Sequence, residues 1–226
     1  WSSQGALVIN QLIDKNPPYK VDTAFAPIGR TFTFGNALIV RSDFPAKTVA
    51  ELVTMAKQKP GDINYGTQGV GSAGHLSAQM FQNVAKVRLT HVPYKGGSDV
   101  VASVLGGDIR VGFVATTTAA NIRSKLRVLA VTSAERDPSL PDVPSMREAG
   151  LTGYDATFWF GMLAPAGTPN AIVQRLSTLL REVLTDPNVV KTTRLQGLHA
   201  APSTPAELSA LMKSDLVRWR DVVAER

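Results

Sequence analysis

The chain has 226 residues and 24.2 kDa, with 44% hydrophobic and 19% charged residues, enough to bury the core of one large domain or two modest ones. It contains no cysteine, which excludes disulfides, thiolate nucleophiles, Cys-bound zinc and iron–sulfur clusters. The net charge of +6 is spread without a Lys/Arg block, a distribution that suits an anionic small ligand and argues against nucleic acid, and no apolar run is long enough to span a membrane.

The chain opens at Trp1 without a charged leader, and further sequence is expected upstream. Ser3 is placed to cap a short helix over residues 5–13, and 25–34 leads into a region of alternating elements. Short β-branched runs at 37–40, 88–92, 110–114 and 127–132 predict strands, while 49–57, 73–85, 99–105 and 117–122 carry helical periodicity. Such alternation predicts an α/β fold with a largely parallel sheet. Thr48 stands three residues before Glu51 as a capping box, and Gly61 after Pro60 is expected to close that helix. The same N-terminal device recurs at Thr204, Pro205 and Glu207.

Residues 157–163 predict a last strand, followed by helices alone. Ile172, Val173, Leu176, Leu179, Leu180, Val183 and Leu184 form one stripe expected to face a core, and Asp186-Pro187 divides that helix from the next. Leu208, Leu211, Met212, Leu216, Trp219 and Val223 form a similar stripe in the final helix. Residues 1–34 and 157–226 are therefore expected to make one discontinuous lobe, with 35–156 inserted as a second. A chain crossing twice between two lobes leaves a cleft, where small ligands bind.

The segment from Ile63 to Leu76 carries the most chemistry. A strand runs through Thr67, Gln68, Gly69 and Gly71 into a helix opening at Ser72, so unpaired amides and the positive end of the helix dipole meet at one spot. An anion belongs there. Gly69, Gly71 and Gly74 also match G-x-G-x-x-G, which keeps open an alternative, an NAD(P)-dependent oxidoreductase. That reading needs an acidic residue at the end of the next strand, where the sequence has His91-Val92-Pro93-Tyr94-Lys95. A third reading gives the glycines no ligand and only close packing of helix on strand.

These residues resemble the tripartite tricarboxylate transporter substrate-binding proteins, the Bug receptors. The resemblance rests on the Gly-rich turn ending in His75-Leu76, on His91-Val92-Pro93-Tyr94-Lys95-Gly96, on Leu105-Gly106-Gly107-Asp108 and on Leu129-Ala130-Val131-Thr132-Ser133. It continues through Leu140-Pro141-Asp142-Val143-Pro144, Glu148-Ala149-Gly150 and the run from Trp159 to Pro169. It implies a two-lobed periplasmic binding protein of type II fold that captures a small di-, tri- or aromatic carboxylate by lobe closure. Such a receptor delivers its ligand to membrane transporter subunits, with no catalysis and no cofactor, and it is expected to be a periplasmic monomer. Family members carry a first strand and a Pro-Gly-Gly loop ahead of the region matched here.

Carried over by resemblance, the ligand-binding residues are Thr67, Gln68, Gly71, Ser72 and His75 in the inserted lobe, with Ser3 and Gln4 in the other. Ala115 and Thr116 stand where many relatives place an acidic residue, so the resemblance implies a carboxylate without a nearby amine. Phe158 and Trp159 read either as packing beneath the return crossing or as an aromatic wall against the ligand. The three histidines, His75, His91 and His199, lack the spacing of a metal site on a helix, and no G-x-S-x-G turn exists for a hydrolase. No metal is expected.

Overall fold

The computed structural model describes residues 1–14, 16–17 and 19–224. The chain divides into two compact units, one from Trp1–Phe34 with Phe158–Arg226 and one from Gly35–Thr157.

The first unit begins with a two-residue strand, β1 (Ser2–Ser3), and a π-helical turn over Gly5–Ile9 that continues into α1 (Asn10–Ile13). The Ser3 hydroxyl accepts the Ala6 amide at 3.2 Å, as a capping residue does. The expected regular helix is thus widened over its first five residues, a form that recurs at functional sites. A single turn, α2 (Val21–Ala24), leads into the long strand β2 (Phe25–Phe34).

The second unit runs β3 (Asn36–Arg41), α3 (Val49–Gln58), β4 (Asn64–Thr67), α4 (Ala73–Ala85), β5 (Thr90–Pro93), α5 (Gly97–Gly106), β6 (Val111–Ala115), α6 (Thr116–Ile122) and β7 (Leu126–Val131). Its sheet has the order β5-β4-β6-β3-β7. β4 lies parallel to both β5 and β6, whereas β3 is antiparallel to both β6 and β7, so the expected largely parallel sheet is mixed. The reason is local: β3 enters this unit with no helix of the unit ahead of it, so no crossover obliges it to run with its neighbours. Asn36 to Val40 of β3 are all buried, with Ala37 and Ile39 in the cluster that holds Val100, Val104 and Ile109, and burial of both faces explains the unbroken apolar run.

α3 opens on the Thr48–Glu51 capping box. It closes at Lys59, two residues ahead of the expected Gly61, because the residue before a proline is driven out of the helical region (φ −136°, ψ 82°). Gly61, at φ 82°, makes the following turn and donates its amide to the Arg88 carbonyl at 2.9 Å. The two ends of this unit meet at one buried residue. Thr132 takes the Asn36 amide on its hydroxyl at 2.9 Å and returns its own amide to the Asn36 carbonyl at 2.8 Å, while its carbonyl accepts the Ala156 amide at 2.9 Å.

The first unit resumes with β8 (Phe158–Pro165), α7 (Asn170–Thr185), α8 (Pro187–Leu195), β9 (His199–Ala200) and α9 (Pro205–Ala224), and its sheet has the order β1-β8-β2-β9 with every pair antiparallel. Two expectations are corrected here. Helices do not follow alone: His199 and Ala200 pair with Thr33 and Phe32, a strand too short to leave an alternating pattern. The α7 stripe is also narrower than expected. Val173, Ser177 and Leu184 are buried and Leu180 packs beside them, whereas Ile172 (50% exposed) and Val183 (55%) face away with Leu176 and Leu179. The second row sits one residue, about 100°, around the helix, beyond the reach of the sheet. In α9 the expected stripe does face inward through Leu208, Met212 and Trp219, and it includes Asp215.

Candidate functional site

Parallel β4 and β6 end side by side, and the turn after β4 crosses that carboxyl end of the sheet before α4 begins. Ligands of α/β sheets bind in this position. Gly69 (φ 104°) and Gly71 (φ 79°) take left-handed backbone that side chains disfavour, and the Ser72 amide closes back on the Gly69 carbonyl at 3.3 Å. The Ser72 hydroxyl accepts the His75 amide at 3.2 Å as the N-cap of α4. The helix itself leaves the amides of Ala73 and Gly74 without acceptors, so the half-buried turn presents donors at the positive end of a 13-residue helix.

The side chains of the turn hold the turn. Thr67 is fully buried, with its hydroxyl oxygen 2.7 Å from His91 Nε2 and 3.3 Å from the Gly69 carbonyl. Gln68 donates its amide to the Phe113 carbonyl at 3.3 Å, tying the turn to β6. Gly71 donates its amide to His75 Nδ1 at 3.3 Å. A β-carbon at Gly74 would lie 2.8 Å from the Phe113 carbonyl and 2.6 Å from Gln68 Oε1, so the third glycine serves close approach of helix and strand. Burial pushes the His91 imidazole below its ordinary value and Tyr65 up to about 12, which keeps both neutral near pH 7.

Ala115 and Thr116 stand at the end of β6, with Thr116 buried and its amide on the Gly35 carbonyl at 3.4 Å. The structure thus gathers seven of the expected site residues at one end of one sheet: Thr67, Gln68, Gly71, Ser72, His75, Ala115 and Thr116. The other four lie in the first unit, where Ser3 pairs with Phe160 across β1 and β8. Gln4 is 1% exposed and donates its side-chain amide to Asp215, while its Oε1 is buried without a partner among the described residues. Trp159 donates its indole N–H to the same Asp215 oxygen at 2.7 Å, and Phe158 stacks on Trp219 at 5.5 Å. Of the two readings for this aromatic pair, packing within the unit is the one their surroundings match.

Sequence reasoning missed Asp215, which collects Gln4, Trp159 and, at 2.8 Å, Arg218. The signal was legible: Leu208, Met212, Asp215 and Trp219 share one helical face, and a lone acid on an apolar stripe requires partners. It also missed His91 as the partner of Thr67. Two cavities lie elsewhere. One of about 320 Å³ sits at the opposite end of β3 and β6, between Arg41, Phe44, Met55 and Arg110. Its guanidinium groups are already paired with Asp43 and Asp62. The other, about 270 Å³, lies beside Arg30, Ser203 and Glu207. Among the described residues no group of three His, Cys, Asp or Glu is placed to hold a metal ion, and no helix is long and apolar enough to cross a membrane.

Residues 6–226 match the family described as the tripartite tricarboxylate transporter family receptor. The UPF0065 protein in the tcbD-tcbE intergenic region of Pseudomonas sp. is 32% identical over 222 residues, 97% of this chain and 66% of the relative, so the chain spans just under two thirds of that length. An R. palustris protein in a structure with adipate is 30% identical with a TM-score of 0.82, covering 99% of this chain and 75% of that one. The periplasmic binding protein BugD is 31% identical with a TM-score of 0.79, over 99% and 76% respectively. The α/β architecture is that of these binding proteins, and the matched region includes both units and the glycine turn between β4 and α4: the chain belongs to the tripartite tricarboxylate transporter family receptors.

Proposed function

We propose that this protein is a periplasmic solute receptor that captures a small carboxylate at the β4–α4 turn and presents it to the membrane subunits of a tripartite transporter, without catalysis. The observation that carries the reading is the turn itself. Two left-handed glycines and a capped helix start aim backbone donors at the carboxyl end of the sheet. Gln68, Gly71 and Ser72, with the first amides of α4, are the contacts proposed for one carboxylate. Ala115 and Thr116 add no charge, so the favoured ligand is a dicarboxylate or aromatic carboxylate without an ammonium group. The adipate in the R. palustris relative, a dicarboxylate without an amine, supports that choice.

One helix start contributes about 0.3–2 kcal/mol to anion binding. Micromolar affinity needs about 8 kcal/mol, so hydrogen bonds and excluded water must supply the larger share. The test is thermal unfolding and calorimetry of the full-length protein with adipate, malate, citrate, benzoate, aspartate, NADH and NADPH. The non-aminated carboxylates should raise the melting temperature, by about 2.7 kcal/mol of stabilisation at a hundredfold excess over Kd. Stabilisation by NADH or NADPH alone would favour the oxidoreductase alternative, and preference for aspartate would overturn the assignment of ligand class.

A further inference from the structure

Two imidazoles stand behind the turn, each fastened to a different part of it. The rings of His75 and His91 have centroids 4.4 Å apart with planes tilted by 40°, and His91 stacks on Tyr65 at 4.9 Å. His75 Nδ1 accepts the Gly71 amide, so that nitrogen carries no proton in this state and the neutral ring holds its proton on Nε2. His91 reaches the other part, through the Thr67 oxygen that also lies against the Gly69 carbonyl.

A proton added to His75 has one place to go. It arrives on Nδ1, where it meets the Gly71 N–H donor to donor, and that hydrogen bond breaks. Nothing lies within 4 Å of the place a Gly71 β-carbon would take, so the turn is open on that side to an incoming ligand. The same event sets a positive charge beside the donors at the start of α4. A carboxylate is the acceptor that satisfies both.

His75 is 5% exposed, so burial opposes its charging and a ligand carboxylate would offset that cost. From β4 the titratable neighbour is Tyr65, held neutral by burial with Gln82 on its hydroxyl, and Thr67 is uncharged. The turn and α4 contribute Gly71 and Ser72. On β5, His91 is displaced from its ordinary value by burial and by no charged side chain. At their separation the two rings cannot both carry charge cheaply, so the pair takes up a single proton.

We infer that His75 and His91 form a proton-binding site linked to the carboxylate site, so that the receptor takes up about one proton together with its ligand. This rests on the carboxylate-receptor reading and adds a regulation to it. By linkage the ligand raises the proton affinity of the pair, and falling pH tightens binding over the range in which the ligand itself stays ionised.

The full-length protein with adipate as the probe tests both levels. In the free protein, NMR titration from pH 8 to 5 should show the Gly71 amide shift following the His75 imidazole with one common midpoint. Calorimetry should give about fivefold or greater tightening of adipate binding between pH 8 and pH 6. Heats compared in two buffers of different ionisation enthalpy should show net proton uptake. His75→Gln, which retains an acceptor but takes no proton, should abolish the pH dependence, and His91→Gln should shift its midpoint. Equal adipate affinity at both pH values, or a Gly71 amide that ignores the His75 titration, overturns the linkage alone. No heat with adipate at either pH overturns the receptor reading and the linkage with it.

Discussion

The two units solve the problem of buried polarity in opposite ways. The first organises its interior around a charge: Asp215, 1% exposed, holds Gln4, Trp159 and Arg218 in one network beneath an antiparallel sheet. The second gathers an apolar cluster around Ile39, Val100, Val104 and Ile109, ties buried polar residues such as Asn36, Ser77 and Thr132 to one another and to backbone, and carries its candidate binding turn at the sheet's carboxyl end. There it relies on glycines rather than charges. The first unit's interior network therefore depends on pairing with a buried acid, and the second unit's candidate site on how closely backbones approach.

The sharpest way to break this contrast is Asp215→Ala. Removing the acid leaves the buried Gln4 amide and Trp159 indole without that acceptor and should cost the first unit about 2–4 kcal/mol, read as a drop in the urea midpoint of unfolding. If the loss is under about 1 kcal/mol, the network contributes little and the contrast fails. The counterpart in the second unit is Gly74→Ala, whose new methyl would sit 2.8 Å from the Phe113 carbonyl. Overpacking against rigid backbone should cost about 1–3 kcal/mol, and because Gln68 bonds the same carbonyl, adipate binding should weaken as well. Unchanged binding in that variant would detach the turn from the ligand site.

A smaller effect is expected at Thr48→Ala, which removes the hydroxyl half of the capping box on α3 and should cost about 1 kcal/mol in the same melt. The smallest concerns acid. Glu148, in the second unit, lies below its ordinary 4.5 first because it accepts the Ser145 amide and then because of Arg136. Glu207, in the first, is lowered chiefly by the Thr204 amide. A lowered carboxylate contributes stability that is present above pH 4.5 and is lost as pH falls through the folded value. Glu148→Gln and Glu207→Gln should each flatten the acid limb of the stability curve. His91 acts over a different range: its depressed value withdraws stability as pH falls below 6.5, and only the second unit should report it.

Much of the second unit was legible in the residues. α4 occupies the residues expected for it, 73–85, because Ser72 caps one end and Lys86, left-handed at φ 55°, stops the other. The turn was legible as well, since glycine spacing before a capped helix reports backbone geometry directly. What escaped were features set by pairing at long range. The reversed direction of β3 and the existence of β9 depend on partners far along the chain, and two residues carry no periodicity. In the site, Gln4 reads as a ligand contact until its amide is seen on Asp215, 211 residues away. Thr67, expected to face the ligand, is buried with its hydroxyl between His91 and the Gly69 carbonyl, partners that no local pattern announces.

Thr132 bonds to Asn36 on one side and Ala156 on the other, so the polypeptide leaves the second unit beside the point where it enters. A module whose start and finish share one clasp can be lifted out of its host and closed with a short linker. It could equally be transplanted into a surface loop of another scaffold with little distortion of either. Expression of residues 35–157 alone should accordingly give a cooperatively melting protein, and a graft of that cassette would carry the glycine turn with it.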